Sequence, residues 1–223
     1  MKKYILSIDQ GTTSSRIVLY NLKFQVLDII QKEFKQYFPK DGWVEHDAME
    51  IWLDVRNLIK KILKKNKINS SNITSIGITN QRETTILWNK KTGKPVNKAI
   101  VWQDRRTAVF CKKLKGTKKE ILIQNITGLI IDPYFSATKI KWIISNNNIA
   151  NKTLKDGNLL FGTIDTWLLW NLTEKKSHLT DITNASRTML YDSKKEQWSE
   201  NLLNLFKIPK SILPDVVENS YNF

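Results

Sequence analysis

The chain of 223 residues is 41% hydrophobic and 10% aromatic, with eight tryptophans, enough apolar side chain for a packed core and too much for a chain disordered along its length. Its net charge of +15 rests on 30 lysines and only six arginines, beside 27 isoleucines and 20 asparagines, a mixture that A/T-rich codons favour. Surfaces that read bases or clamp phosphates lean on arginine, whereas these lysines scatter over expected helix faces, as at Lys60, Lys61, Lys64 and Lys65, so the charge does not point to a nucleic-acid partner.

Lys2 and Lys3 give the chain a basic start, but the apolar run Tyr4 to Ile8 meets Asp9 and is too short for a secretory signal. That run reads as a strand. The turn Asp9 to Ser15 follows, then a strand from Arg16 to Tyr20, a turn at Asn21 to Lys23 and a third strand from Phe24 to Phe34. Short polar turns between successive strands predict an antiparallel meander. Asp47 with Glu50 three residues on marks a helix start, and Ile51, Trp52, Val55, Leu58, Ile59, Ile62 and Leu63 recur at helical spacing to about Lys65. Ile73 to Thr79, Thr84 to Trp88 and Ala99 to Trp102 read as further strands, with the turn Asn89 to Pro95 between the last two.

From Asp104 the pattern becomes helical, through Leu114, then over Lys118 to Ile126, Ser136 to Ser145 and Ile164 to Leu172, while the Asn- and Lys-rich stretch Asn146 to Lys155 reads as a surface loop. Cys111, the single cysteine, cannot form an internal disulfide and suits a reducing, cytoplasmic setting. It lies among lysines that would lower its pKa, unless it is buried in its helix. Leu159 to Leu172 is the longest apolar stretch but is broken by Thr163, Asp165 and Thr166, well short of the ~18 residues a membrane span needs. The chain closes on Leu213 to Val217 and Tyr221 to Phe223 without a capping helix. Strands interleaved with helices predict a mixed α/β fold.

Four segments have the composition of a site. In Asp9-Gln10-Gly11-Thr12-Thr13-Ser14-Ser15-Arg16, a glycine turn, backbone N–H groups and hydroxyls suit phosphate oxygens, with Asp9 placed for a divalent metal and Arg16 for phosphate charge. The same residues also make an ordinary hairpin turn. No Gly-Lys-Ser/Thr sequence makes it a Walker loop. Asn80 to Thr85 follows a strand, where Arg82 and Glu83 offer forked donors and a strong acceptor to a polyhydroxyl compound, or form a solvated turn. Trp102 is a platform for a small carbon skeleton, or a core tryptophan before a helix capped by Asp104. Asp132-Pro133-Tyr134-Phe135-Ser136 offers the Tyr134 hydroxyl, or is simply the loop before a helix capped by Ser136. With two histidines and one cysteine no zinc spacing exists, and the polar group Thr180, Asp181, Asn184 and Arg187 suggests no mechanism of its own.

Together these segments resemble the amino-terminal half of the glycerol kinases in the FGGY family of carbohydrate kinases. The matching stretches run from Ser7 to Arg16, Gly42 to Asp47, Gly77 to Thr85, Ala99 to Gln103, Thr127 to Leu129, Asp132 to Lys139, Leu160 to Leu168 and Thr183 to Leu190. The resemblance implies a ribonuclease-H-like α/β domain, the first domain of an actin-like two-domain kinase. It implies transfer of the γ-phosphoryl group of ATP, with Mg²⁺, to glycerol, giving sn-glycerol 3-phosphate. Arg82, Glu83 and Tyr134 would hold the hydroxyls and Trp102 the carbons; Thr12, Thr13, Ser14 and Arg16 would meet nucleotide phosphates and Asp9 the metal. Residues 1–223 would form one glycerol-binding domain, incomplete at its end. The family's base, in a Gly-Asp-Gln segment, would lie beyond Phe223 with the nucleotide domain, leaving no catalytic base here and an inactive isolated chain. The full-length form is expected to be a cytoplasmic homo-oligomer without a membrane span. The alternatives are a kinase for another small polyol or sugar, and a non-catalytic glycerol-binding remnant.

Overall fold

The computed structural model describes residues 3–220. Lys2 of the basic start and the closing Tyr221, Asn222 and Phe223 lie outside the described residues. In chain order the first elements are β1 (Tyr4–Gln10), β2 (Ser14–Asn21), β3 (Val26–Glu33), the two-residue strand β4 (Glu45–His46), helix α1 (Ala48–Lys65) and β5 (Ile73–Asn80). The chain divides into two compact units: residues 1–36 with 47–81, and residues 37–46 with 82–223.

The first unit is one sheet and one helix. The strands run in the order β3-β2-β1-β5, with β1–β2 and β2–β3 antiparallel and β1–β5 parallel, the parallel step made by the crossover through α1. Leu6 and Ile8 of β1, with Ile17 and Leu19 of β2, are buried at alternate positions, as a half-covered sheet requires. Ile51, Val55, Leu58 and Ile62, at helical spacing, form the buried stripe of α1, which packs on β2 and β3. Asp47 caps that helix by accepting hydrogen bonds from the Met49 and Glu50 amides at 2.9 and 3.2 Å. The expected meander and helix are borne out.

The second unit adds β6 (Ile86–Asn89), β7 (Lys94–Pro95), β8 (Ala99–Ile100), helices α2 (Ala108–Leu114), α3 (Lys118–Thr127), α4 (Ser136–Asn146) and α5 (Asn148–Lys155), strand β9 (Leu159–Gly162) and helix α6 (Ile164–Leu172). A further helix, α7 (Ile182–Ala185), and α8 (Glu200–Phe206) follow. Strands β7-β6-β9 form a three-stranded sheet. The core gathers Leu87, Ile100, Ile123, Ile140, Phe161 and Phe206 among others. Arg106 is sunk within it, bonded to Asp104 and Glu45 at 2.8–2.9 Å and stacked 3.7 Å from the Trp43 ring centroid. No helix among the described residues is long and apolar enough to cross a membrane.

The structure departs from the sequence expectations at several points. Asn146 to Lys155 is not a loop: Asn147 accepts from the Ala150 amide at 2.9 Å, and Ala150 and Thr153 are buried at helical spacing. The third strand begins at Val26 because Phe24 takes a left-handed φ of 58° in the turn. The strand toward Trp102 stops at Ile100. Asp104 does not cap α2, whose N-cap is Thr107; its carboxylate accepts instead from the Val44 amide and from Arg106. Ser136 is the first helical residue of α4 rather than its cap. Cys111 is buried, and burial pushes its thiol up to about 11, so the nearby lysines do not activate it.

His46, fully buried, has its pKa lowered from 6.5 to about 4 by desolvation. Folding therefore holds the neutral ring. The stability this gives is complete above pH 6.5 and is lost as the unfolded chain takes up a proton between pH 6.5 and 4, by up to about 3 kcal/mol. Urea unfolding across that range should show the loss, and His46→Gln should flatten it; parallel pH profiles for parent and variant would contradict the assignment. Asp47→Ala should cost about 1 kcal/mol in the same assay through loss of the cap.

Candidate functional site

In the first unit, the turn between β1 and β2 is drawn tight by a hydrogen bond from the Gly11 amide to the Ser14 carbonyl at 2.9 Å. The carbonyls of the loop are engaged by the protein. Gly11 accepts from the Gln10 and Gln81 side chains, Thr12 from the Gln36 side chain, and Thr13 from the Phe34 amide. Turning carbonyl dipoles into the protein suits a loop that is to receive an anion. Buried Gln10 and Gln81 join the carboxyl ends of β1 and β5, with the Gln81 amide donating to the Gln10 carbonyl at 2.7 Å and the side chains bonded at 3.1 Å. Strand ends of this kind are where sheet proteins hold ligands.

Asp9 and Arg16 face each other across the β1–β2 pair, and the guanidinium donates to Asp9 Oδ2 through Nη2 and through Nε, the latter at 3.0 Å. The pair is partly exposed, 46% for Arg16 and 32% for Asp9. No cluster of three or more metal-ligating side chains exists among the described residues. A single accessible carboxylate fits magnesium, which keeps most of its waters and takes further oxygens from phosphates. Thr12 and Thr13 thus lie in the turn itself, with Asp9 near the end of β1 and Ser14 and Arg16 at the start of β2.

In the second unit the centre is Glu83. Its φ is +61°, and the Thr84 amide donates to the Arg82 carbonyl at 2.7 Å across it. This makes a γ-turn of the strained, positive-φ kind. Glu83 is 1% exposed, and its Oε1 accepts from Arg187 Nε at 2.6 Å. The Arg187 guanidinium lies 5.4 Å from the Tyr134 ring centroid and 5.0 Å from that of Phe135. Tyr134 meets Trp102 at 5.3 Å between centroids, and its amide donates to Asp132 at 2.9 Å. The turn before α4 is thereby fixed.

The structure therefore brings together Glu83, Tyr134 and Trp102, and leaves Arg82 exposed beside them, without a hydrogen bond or ion pair of its side chain among the described residues. Arg187 stood out in the sequence only as part of the polar group Thr180, Asp181, Asn184 and Arg187, to which no mechanism could be attached, and nothing in that stretch names a partner 104 residues away.

Removing Arg187 would strand a buried carboxylate. Fully buried pairs cost about 3–5 kcal/mol when one partner is lost; because the Arg187 side chain is 28% exposed, Arg187→Met should cost about 2 kcal/mol, which Glu83→Gln in the same chain should largely restore. Urea unfolding of the two single variants and the double variant measures this. An additive double variant would show that the pair does not hold the site.

Residues 4–223 match the N-terminal domain of the FGGY family of carbohydrate kinases. A glycerol kinase of Staphylococcus haemolyticus (strain JCSC1435) is 52% identical over 220 residues, 99% of this chain and 44% of that protein. The crystal structure of Plasmodium falciparum glycerol kinase with ADP superposes with a TM-score of 0.93 at 39% identity, over 100% of this chain and 44% of that one. Gluconate kinase from Lactobacillus acidophilus, with a TM-score of 0.86 at 23% identity over 97% of this chain and 42% of its own, shares the fold. The chain spans less than half the length of these relatives. With its mixed sheet, its crossover helix and this match over nearly every residue, the chain belongs to the FGGY family of carbohydrate kinases and spans that family's N-terminal domain.

Proposed function

We propose that the protein containing this chain transfers the γ-phosphoryl group of ATP to glycerol, giving sn-glycerol 3-phosphate. The observation that carries the reading is Glu83, a buried carboxylate held by Arg187 beside the Tyr134 and Trp102 rings, in a chain 52% identical to a protein named glycerol kinase. A triol offers only hydroxyls and a three-carbon skeleton, so its recognition needs a strong acceptor, a forked donor and an apolar wall. Glu83 is the acceptor: with Oε1 occupied by Arg187, Oε2 takes a glycerol hydroxyl proton in a hydrogen bond that low polarity strengthens. Exposed Arg82 supplies the donors, the Tyr134 hydroxyl adds a third polar contact, and Trp102 lies against the carbons.

On the nucleotide side, Thr12, Thr13 and Ser14 offer amides and hydroxyls to phosphate oxygens, and Arg16 turns from Asp9 to neutralise their charge. Asp9 would hold magnesium directly or through water, and that ion supplies charge neutralisation between the phosphates. Phosphoryl transfer asks chiefly for alignment and charge stabilisation, and residue types of this kind suit both. None of them is assigned as the base that accepts the attacking hydroxyl's proton, so the 223-residue chain alone is read as binding without turnover. An ATP-using reaction of this kind belongs to the cytoplasm.

Steady-state kinetics of the complete enzyme tests the assignment. Glu83→Gln, which keeps shape but loses charge, should lower kcat/KM for glycerol about 100-fold with KM for ATP unchanged. Arg16→Ala should do the reverse, raising KM for ATP about tenfold and leaving that for glycerol. Parent-like glycerol kinetics in Glu83→Gln, or turnover of a sugar in preference to glycerol, would overturn the reading.

A further inference from the structure

We infer that Lys139, on the first turn of α4, is a positioning residue for the substrate site, clipping the segments that carry Glu83 and Tyr134 to each other through their backbone carbonyls. The inference rests on the reading of Glu83 and Tyr134 as substrate-binding residues given above. Lys139 is 0% exposed. Its Nζ donates to the Glu83 carbonyl at 3.2 Å and to the Tyr134 carbonyl at 2.6 Å. The Glu83 carbonyl also accepts from the hydroxyls of Ser136 and Thr85, each at 3.2 Å. The main chain of the γ-turn is thus held by three donors, two of them from α4.

Burying an amine is costly, and a methionine of similar length would fill the space more cheaply. What the amine adds is the pair of carbonyls it joins. Burial brings its pKa down from 10.5 to about 7, outweighing Glu83, Asp104 and Asp132, which favour the ammonium, while Arg106 opposes it. The clip survives loss of the proton, because a neutral amine keeps two N–H donors for its two carbonyls. It therefore joins the two segments without depending on a permanently buried charge. Neither carbonyl presents chemistry to a substrate; the effect passes through the side chains attached to the same residues. A shift of about 1 Å in either segment is enough to cost about 100-fold in a positioned reaction.

Hydrogen exchange of the intact protein, followed by kinetics with glycerol, tests the clip. In Lys139→Met, amides of residues 82–86 and 132–136 should exchange at least about tenfold faster, while those of β1 and α1 keep parent rates. KM for glycerol should rise about tenfold or more with KM for ATP unchanged, a split that general destabilisation would not give. Ser136→Ala, which removes one donor on the Glu83 carbonyl, should move the same readouts in the same direction by less and serves if Lys139→Met does not fold. Parent rates in either segment, a uniform rise across the second unit, or an unchanged KM for glycerol would overturn the inference. Loosening of both segments in an enzyme whose parent shows no glycerol-dependent turnover would support the clip and defeat the glycerol reading instead.

Discussion

Glu83 carries two penalties at once: a backbone in the left-handed region, at φ 61°, and a carboxylate with almost no solvent. The first costs about 1–3 kcal/mol against folding and the second several kcal/mol unless the charge is paired, and neither persists unless its surroundings impose it. The arrangement of the second unit around this residue follows from that demand. Arg187 answers the charge, Lys139 and Ser136 hold the carbonyl, and the rings of Tyr134 and Phe135 stand against the guanidinium that does the answering. A strained main chain under several independent restraints is a means of aiming one side chain.

The first unit solves a different problem with simpler means. On the proposed reading, a short turn between antiparallel strands presents amides and hydroxyls while its carbonyls point elsewhere. Gln10 and Gln81, fixed at the ends of two parallel strands, and Gln36 and Phe34 after β3 take up those carbonyls. The sheet order β3-β2-β1-β5 puts the strand ends where this can happen. The Asp9–Arg16 pair, exposed on both sides, is weak by nature and can open to a ligand of higher charge.

Much of this was legible in the sequence, for identifiable reasons. Alternating apolar residues in Tyr4 to Tyr20 and the stripe from Ile51 to Leu63 are local signals, and both elements form where the periodicity places them. The polar strings after β1 and β5 mark loops at strand ends, and Glu83, Tyr134 and Trp102 do converge. Long-range pairing was not legible. Nothing near Arg187 indicates Glu83, and Lys139 reads as one surface lysine among many until the first turn of α4 is seen buried on every side, from Ser136 to Ile140. The helix after Asn147 was hidden by its polar composition, since only Ala150 and Thr153 face inward. Composition describes the exposed majority of such a helix, whereas its existence depends on two buried positions and a cap.

Calorimetric titration of glycerol into the 223-residue chain and its Glu83→Gln variant measures the central claim directly, because it needs neither ATP nor a catalytic base. The account predicts saturable binding of one glycerol to the parent chain and its loss in the variant, with both proteins folded. No binding by the folded parent, or equal affinity in the two, would contradict it.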